Sequence, residues 1–158
     1  MSLLIDFIAY IYDKYTRKEA LSDARMVKTI YLADWLSAVE TGKQLTDIRW
    51  KFDNYGPYVK DVVEAISGSD SFEIVETKNF YGAPKKQVER LPNVGNTHVR
   101  LKKHERETLD KVLEETQHMY FRQFIDHVYG TYPVLSQPKG SYLDLVELAK
   151  KQQRELLG

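Results

Sequence analysis

Four histidines, at positions 98, 104, 118 and 127, are the first residues to weigh for catalysis or metal binding. Only His104 sits in a suggestive frame. The run His104-Glu105-Arg106-Glu107-Thr108 opens as a zinc-protease helix does, but that motif requires a second imidazole four residues on, where the same helix face returns. Thr108 stands there instead, and the histidines share no ligand spacing, so each reads as a surface residue. Thr41-Gly42-Lys43-Gln44-Leu45 contains a Gly-Lys pair without the upstream glycine of a phosphate loop, and reads as a helix end. Neither a Gly-x-Ser-x-Gly elbow nor a Gly-x-Gly-x-x-Gly fingerprint is present. Asp61, Glu64, Glu105 and Glu107 have the chemistry of an acid–base pair, but on helix faces they read as solvating charge. Asp34 differs, because it lies in the apolar stretch Tyr31–Trp35, where burial would raise a carboxyl pKa. It is the best candidate for an enzymatic reading and, alternatively, the anchor of a buried hydrogen-bond network. The chain has no cysteine, which removes thiolate nucleophiles, thiolate metal sites and disulfides. No cofactor, metal or catalytic residue is therefore expected, and the chain is not read as an enzyme.

Charge points to no obvious ligand. Lys+Arg and Asp+Glu balance at 23 each, so no global field draws in nucleic acid or an anionic membrane. Lys85, Lys86, Arg100, Lys102, Lys103 and Arg106 surround the predicted strands and are candidates for one basic strip. Lysines that blunt a sheet edge are the preferred reading, and nucleic acid is not an expected partner. Aromatic content says more. Eleven tyrosines and two tryptophans exceed what one small core needs, and Trp50, Phe52, Tyr55 and Tyr58 crowd the stretch 48–58. Tyrosine and tryptophan join rigid apolar area to a polar tip and are favoured at protein–protein hot spots. The candidate partner-binding residues are Trp35, Trp50, Tyr55, Gly56, Pro57 and Tyr58, with core packing as the alternative for Trp50 and Phe52.

The elements that must position these residues follow from periodicity. Leu3, Leu4, Phe7, Ile8, Ile11, Tyr12 and Tyr15 recur at helical intervals. Ser22 is placed to cap a helix from Asp23 that Gly42 ends, and its apolar residues lie on all sides, predicting burial all round. A third helix is expected from Pro57, with Val59, Val62, Val63 and Ile66 inward. Ser71–Thr77 alternates as a half-buried strand, with 85–91 and 98–101 as weaker strands. Helical spacing returns through Leu109–Thr116 and Phe121–Tyr129, Thr131–Gly140 reads as a proline-containing loop, and Ser141 with Asp144 suggests a capping box before a last helix. The prediction is a single domain over 1–158, α+β and predominantly helical, with five to six helices and a small antiparallel β-hairpin or meander. No stretch approaches the ~20 apolar residues of a membrane span, so a cytoplasmic location without a membrane partner is expected.

Asn54-Tyr55-Gly56-Pro57-Tyr58 reads as an abrupt corner. Gly56 tolerates positive φ, and Pro57 suits a first helical position, where its missing N–H is no loss. The helix start would offer free N–H donors to an anion or carboxylate. Lys28, Tyr31, Leu32 and Ala33, then Thr41, Gly42, Lys43 and Leu45, then Trp50 running into Tyr55, Gly56 and Pro57, together resemble the Panacea, or SocA-like, antitoxin family. The likeness extends over most of the chain and is sharpest up to Val62.

That resemblance implies a bacterial or phage-encoded antitoxin that binds and neutralises a toxin encoded by a neighbouring gene. One branch of the family instead delivers its toxin to a protease, so a proteolytic adaptor is the alternative, and an enzyme that reverses toxin action is a more distant one. No appended DNA-binding domain accompanies the resemblance, which argues against promoter autoregulation.

Overall fold

The computed structural model describes residues 3–92 and 100–158. The chain opens with α1 (Leu4–Lys14), which buries Phe7, Ile8 and Ile11. A short 3-10 turn (Lys18–Ala20) then leads into α2 (Asp23–Thr41). Both predicted ends of α2 are present: Ser22 Oγ accepts from the Arg25 N–H, and Gly42 takes the left-handed conformation at φ 79°. Met26, Val27, Ile30, Tyr31, Ala33 and Ala38 are buried, but so are Arg25, Lys28, Thr29 and Asp34. A helix enclosed on every side needs apolar residues all round, and its few polar ones need internal partners. Helices α1, α3 (Asp61–Ser67), α4 (Lys103–Thr116) and α7 (Leu145–Leu157) all pack on α2.

The stretch after α2 differs from expectation. Residues 51–58 form a hairpin of β1 (Lys51–Asp53) and β2 (Gly56–Tyr58), so Pro57 belongs to a strand and α3 begins only at Asp61. The neighbouring segment explains the difference. Phe52 donates its N–H to Ser141 O at 2.9 Å and accepts from Gly140 N at 2.6 Å, and Trp50 O accepts from Leu143 N at 2.8 Å. The backbone polar groups of Phe52 thus face residues 140–143 and turn away from β2. Its partner across the hairpin, Pro57, has no N–H to offer, and at this position none is required.

A second hairpin pairs β3 (Phe72–Lys78) with β4 (Pro84–Arg90), in a register that sets Ile74 opposite Val88. Both strands were predicted. The other edge of β4 meets the entry to α2, where Val88 donates its N–H to Leu21 O at 3.1 Å. Of the strand proposed at 98–101, positions 98 and 99 lie outside the described residues, and Arg100 and Leu101 are not in a strand. After α4 come α5 (Phe121–Tyr129) and α6 (Tyr132–Ser136), the latter within the stretch expected to be a loop. Pro133 lies in the first turn of α6, where proline is tolerated. Helix α7 starts three residues later than the Ser141 reading implied. Asp144 is its cap and accepts from Glu147 N, whereas the Ser141 hydroxyl donates to Pro138 O. The described residues therefore hold seven α-helices and two two-stranded antiparallel sheets, a predominantly helical α+β fold. Among them no helix is long and apolar enough to cross a membrane.

Candidate partner-binding site

Asp34 organises the chain between α2 and β1. Its Oδ1 accepts from the N–H groups of Leu45 and Thr46, both at 2.9 Å. Its Oδ2 accepts from Thr46 Oγ1 at 2.5 Å, Trp50 Nε1 at 2.9 Å and Gln44 Nε2 at 3.3 Å. Burial pushes this carboxyl up to about 6, while the donors from Thr46, Trp50 and Leu45 pull it down. Five converging donors occupy the carboxylate, and this geometry is that of a structural anchor. Of the two readings of Asp34, the network is the one its contacts describe.

Trp50, expected at the contact surface, lies in the core at 0% exposure. Its ring meets Tyr31 edge-on at 5.5 Å. The Thr131 hydroxyl donates to Val128 O at 2.7 Å, so the Tyr31 phenol is the donor in its 2.8 Å bond to Thr131 Oγ1. Phe52 is also buried and packs edge-on against Tyr129 at 6.3 Å. Trp50 and Phe52 are thus the floor on which the β1–β2 hairpin rests.

The hairpin tip projects from that floor. Gly56 has φ 98°, and a Cβ there would come within 3.1 Å of the Tyr129 ring, so both backbone and space call for glycine. Gly56 and Pro57 are buried and set the turn, whereas Tyr55 is 82% exposed. Tyr58 is half-buried, and burial together with the carboxylates of Asp23, Asp53 and Glu64 holds its phenol above the ordinary value. Trp35 occupies a different place. It stacks on Tyr132 at 6.5 Å and lines an apolar cleft of about 270 Å³ with Leu32, Leu36, Val39 and Val112.

Other candidates fall apart in three dimensions. His104 and His118 are exposed, and His127 lies 3.7 Å from Glu115 at the apolar cleft. Glu105 is buried rather than solvating, and its Oε1 accepts from Lys102 N at the start of α4. Among the described residues no group of three or more His, Asp or Glu is placed to hold a metal ion. The basic strip does not converge. Lys85 lies beside Glu19, and the C-terminal end of α4 lies beside Thr16 and Arg25. Lys102, Lys103 and Arg106 mark the other end of that helix, about 20 Å away for fourteen residues.

Sequence reasoning missed two features. Arg25 is fully buried and caps α4: its Nη2 donates to Thr116 O at 2.9 Å and Met119 O at 2.7 Å, and its Nε donates to Tyr15 Oη at 2.7 Å. The guanidinium also lies 4.6 Å from the centre of the Phe124 ring. The second missed feature is a set of exposed aromatics outside the β1–β2 hairpin, namely Phe80, Tyr81, Tyr120 and Phe121. Their exposure could not be read from their types.

These features define a helix-rich α+β domain that presents aromatic side chains on a rigid scaffold. Residues 26–133, from α2 into α6, match the family described as "Antitoxin SocA-like, Panacea domain". The match covers more than half of the chain, and the chain belongs to this family. Membership gives it an antitoxin-like character in general, with a toxin as the implied kind of partner and a non-enzymatic role suggested. No curated protein matches the chain, and no solved structure does.

Proposed function

We propose that the protein is the antitoxin of a bacterial or prophage toxin–antitoxin system and neutralises the toxin encoded beside it by direct protein–protein binding. Family membership supports this reading, and the observation that carries it is the β1–β2 tip. Tyr55 stands in solvent on a turn made rigid by Gly56 against Tyr129 and by the 140–143 segment. A preformed aromatic anchor loses little freedom on binding, which favours affinity. Tyr55 and Tyr58 are the proposed contact residues, Gly56 and Pro57 position them, Trp50 supports them from beneath, and Trp35 offers a separate contact at the apolar cleft. Truncating such an anchor typically costs about 2–4 kcal/mol of binding. The test is growth rescue on co-expression with the neighbouring toxin. Variants Tyr55→Ala and Tyr58→Ala that fold and still rescue fully would remove this surface from the account.

A proteolytic adaptor is the second reading. The observation favouring it is the end of α7, where Leu156 and Leu157 are both exposed and available to a protease. Toxin half-life separates the two, because occlusion leaves it unchanged and an adaptor shortens it. An enzyme acting on the toxin or its product would protect at trace amounts, whereas a binder requires about one copy per toxin.

A further inference from the structure

Tyr120 and Phe121 line one groove, and Phe80 and Tyr81 follow its wall residue Asn79 in the turn of the β3–β4 hairpin. The groove is about 470 Å³ and runs between the end of the β3–β4 hairpin (Asn79, Lys86), the start of α2 (Asp23) and the α4–α5 corner (Tyr120, Phe121). Phe80 is 96% exposed and Tyr81 89%, and the two rings meet edge-on at 5.5 Å. The walls are held firmly. Asn79 Oδ1 accepts from the N–H groups of Tyr81 and Ala83, Lys85 Nζ donates to Glu19 O, and Arg25 ties the end of α4 to α2. Exposed aromatic surface of this extent is characteristic of an interaction site.

The charge of the walls selects the occupant. Arg17, Lys85 and Lys86 line the groove with Asp23, whose Oδ1 already accepts from Ala24 N. Glu19 pairs with Arg17 at 3.1 Å and lies beside Lys85, which leaves Lys86 as the uncompensated charge. Arg25 is turned inward onto backbone carbonyls. Among the described residues Lys86 has no ion-pair partner, and it is exposed. A basic trough flanked by aromatic rings complements an acidic strand or helix that carries an apolar anchor. It does not suit nucleic acid, whose phosphates would require the basic residues to continue along one track, and Lys102, Lys103 and Arg106 lie at the far end of α4.

We propose that this groove takes an acidic, apolar-anchored segment of the bound toxin, as a second contact separate from the Tyr55 tip. The proposal rests on the reading of the chain as a toxin-binding antitoxin. The experiment measures Kd between the full chain and the neighbouring gene product for wild type, Lys86→Glu, Tyr120→Ser and their double variant. Melting curves establish that each is folded, and Leu135→Ser, at an exposed position of α6, serves as a control. The expected result is a Kd at least tenfold higher for Lys86→Glu, a larger rise for the double variant and no change for the control. Added salt should weaken wild type more steeply than Lys86→Glu. If the folded double variant binds within twofold of wild type while Tyr55→Ala weakens, the groove is wrong and the antitoxin reading stands. If wild type forms no complex, both fall. Self-association, or binding of a short RNA or DNA duplex, that the double variant abolishes would give the groove to another occupant and overturn the proposal.

Discussion

Trp50 donates its indole N–H to Asp34 Oδ2 across 2.9 Å, with neither residue exposed to solvent. The bond joins the middle of α2 to the residue that leads into β1. One carboxylate therefore fixes both the turn after α2 and the floor beneath the candidate surface. The order of causes runs from a buried charge to a fixed loop, and from there to a rigid aromatic tip.

Asp34→Ala leaves the backbone N–H groups of Leu45 and Thr46 and the buried Trp50 indole without their acceptor. Each stranded donor costs about 1–3 kcal/mol, so a loss of about 3 kcal/mol or more is expected in denaturant unfolding. Toxin binding should weaken in parallel with stability, because Asp34 itself is covered.

The pH dependence of the same residue has a definite sign. Its carboxyl rises from 3.8 to about 6 in the fold, so the native state holds the proton more tightly than the unfolded chain. Asp34's contribution to stability is fully present below about pH 4. It declines as pH rises toward about 6 and is flat above, a change of about 3 kcal/mol over the window. Carboxyl-carbon NMR titration should place its midpoint near 6. A midpoint near the ordinary value would refute the desolvation argument.

Gly56→Ala meets two obstacles, a positive φ and the Tyr129 ring at 3.1 Å from the new Cβ. A left-handed non-glycine residue costs about 1–2 kcal/mol before any clash. We expect a destabilisation of about 2 kcal/mol and weaker toxin binding, with Tyr55 unaltered. The double variant Gly56→Ala/Tyr129→Leu should recover the clash portion, read by thermal melting.

Arg25→Lys keeps the charge and loses the fork. One ammonium cannot serve Tyr15 Oη and the carbonyls of Thr116 and Met119 together, nor stack on Phe124 as a plane. A loss of about 2 kcal/mol is expected. Amide hydrogen exchange should show the fraying confined to the C-terminal turn of α4.

Lys28 is 3% exposed and, among the described residues, has neither a hydrogen-bond acceptor nor an ion-pair partner, and Asp23 acts on it only through its field. Burial lowers its pKa from 10.5, so the charged form weakens the fold at neutral pH. Stability should therefore rise as pH climbs through the depressed native value toward 10.5. Lys28→Met should raise stability at neutral pH by about 1 kcal/mol and abolish that rise. A variant less stable than wild type would show that the ammonium has a partner in solution.

Much of the scaffold was legible because its signals are local. Ser22 and Gly42 bracket α2, the all-round apolar pattern foretold its enclosure, and alternation through Phe72–Lys78 marked β3. The Gly56–Pro57 corner was misread because proline has the same φ at a helix start and in a strand. What settles it is Phe52 bonding to Ser141 and Gly140, almost ninety residues further on. Helix α6 escaped notice because five residues span little more than one turn, too short for an apolar stripe to repeat, and Pro133 suggests a loop.

The sequence by itself determined the class of fold, the central helix and the family, since caps, periodicity and ordered motifs act over a few residues. Only the tertiary structure decided that Trp50 is floor and Tyr55 is tip, that Arg25 caps α4, and that Lys86 lines one groove with Tyr120 and Phe121. Burial and pairing at these positions depend on chain segments up to about a hundred residues apart, and no local pattern encodes which of two like aromatics faces water.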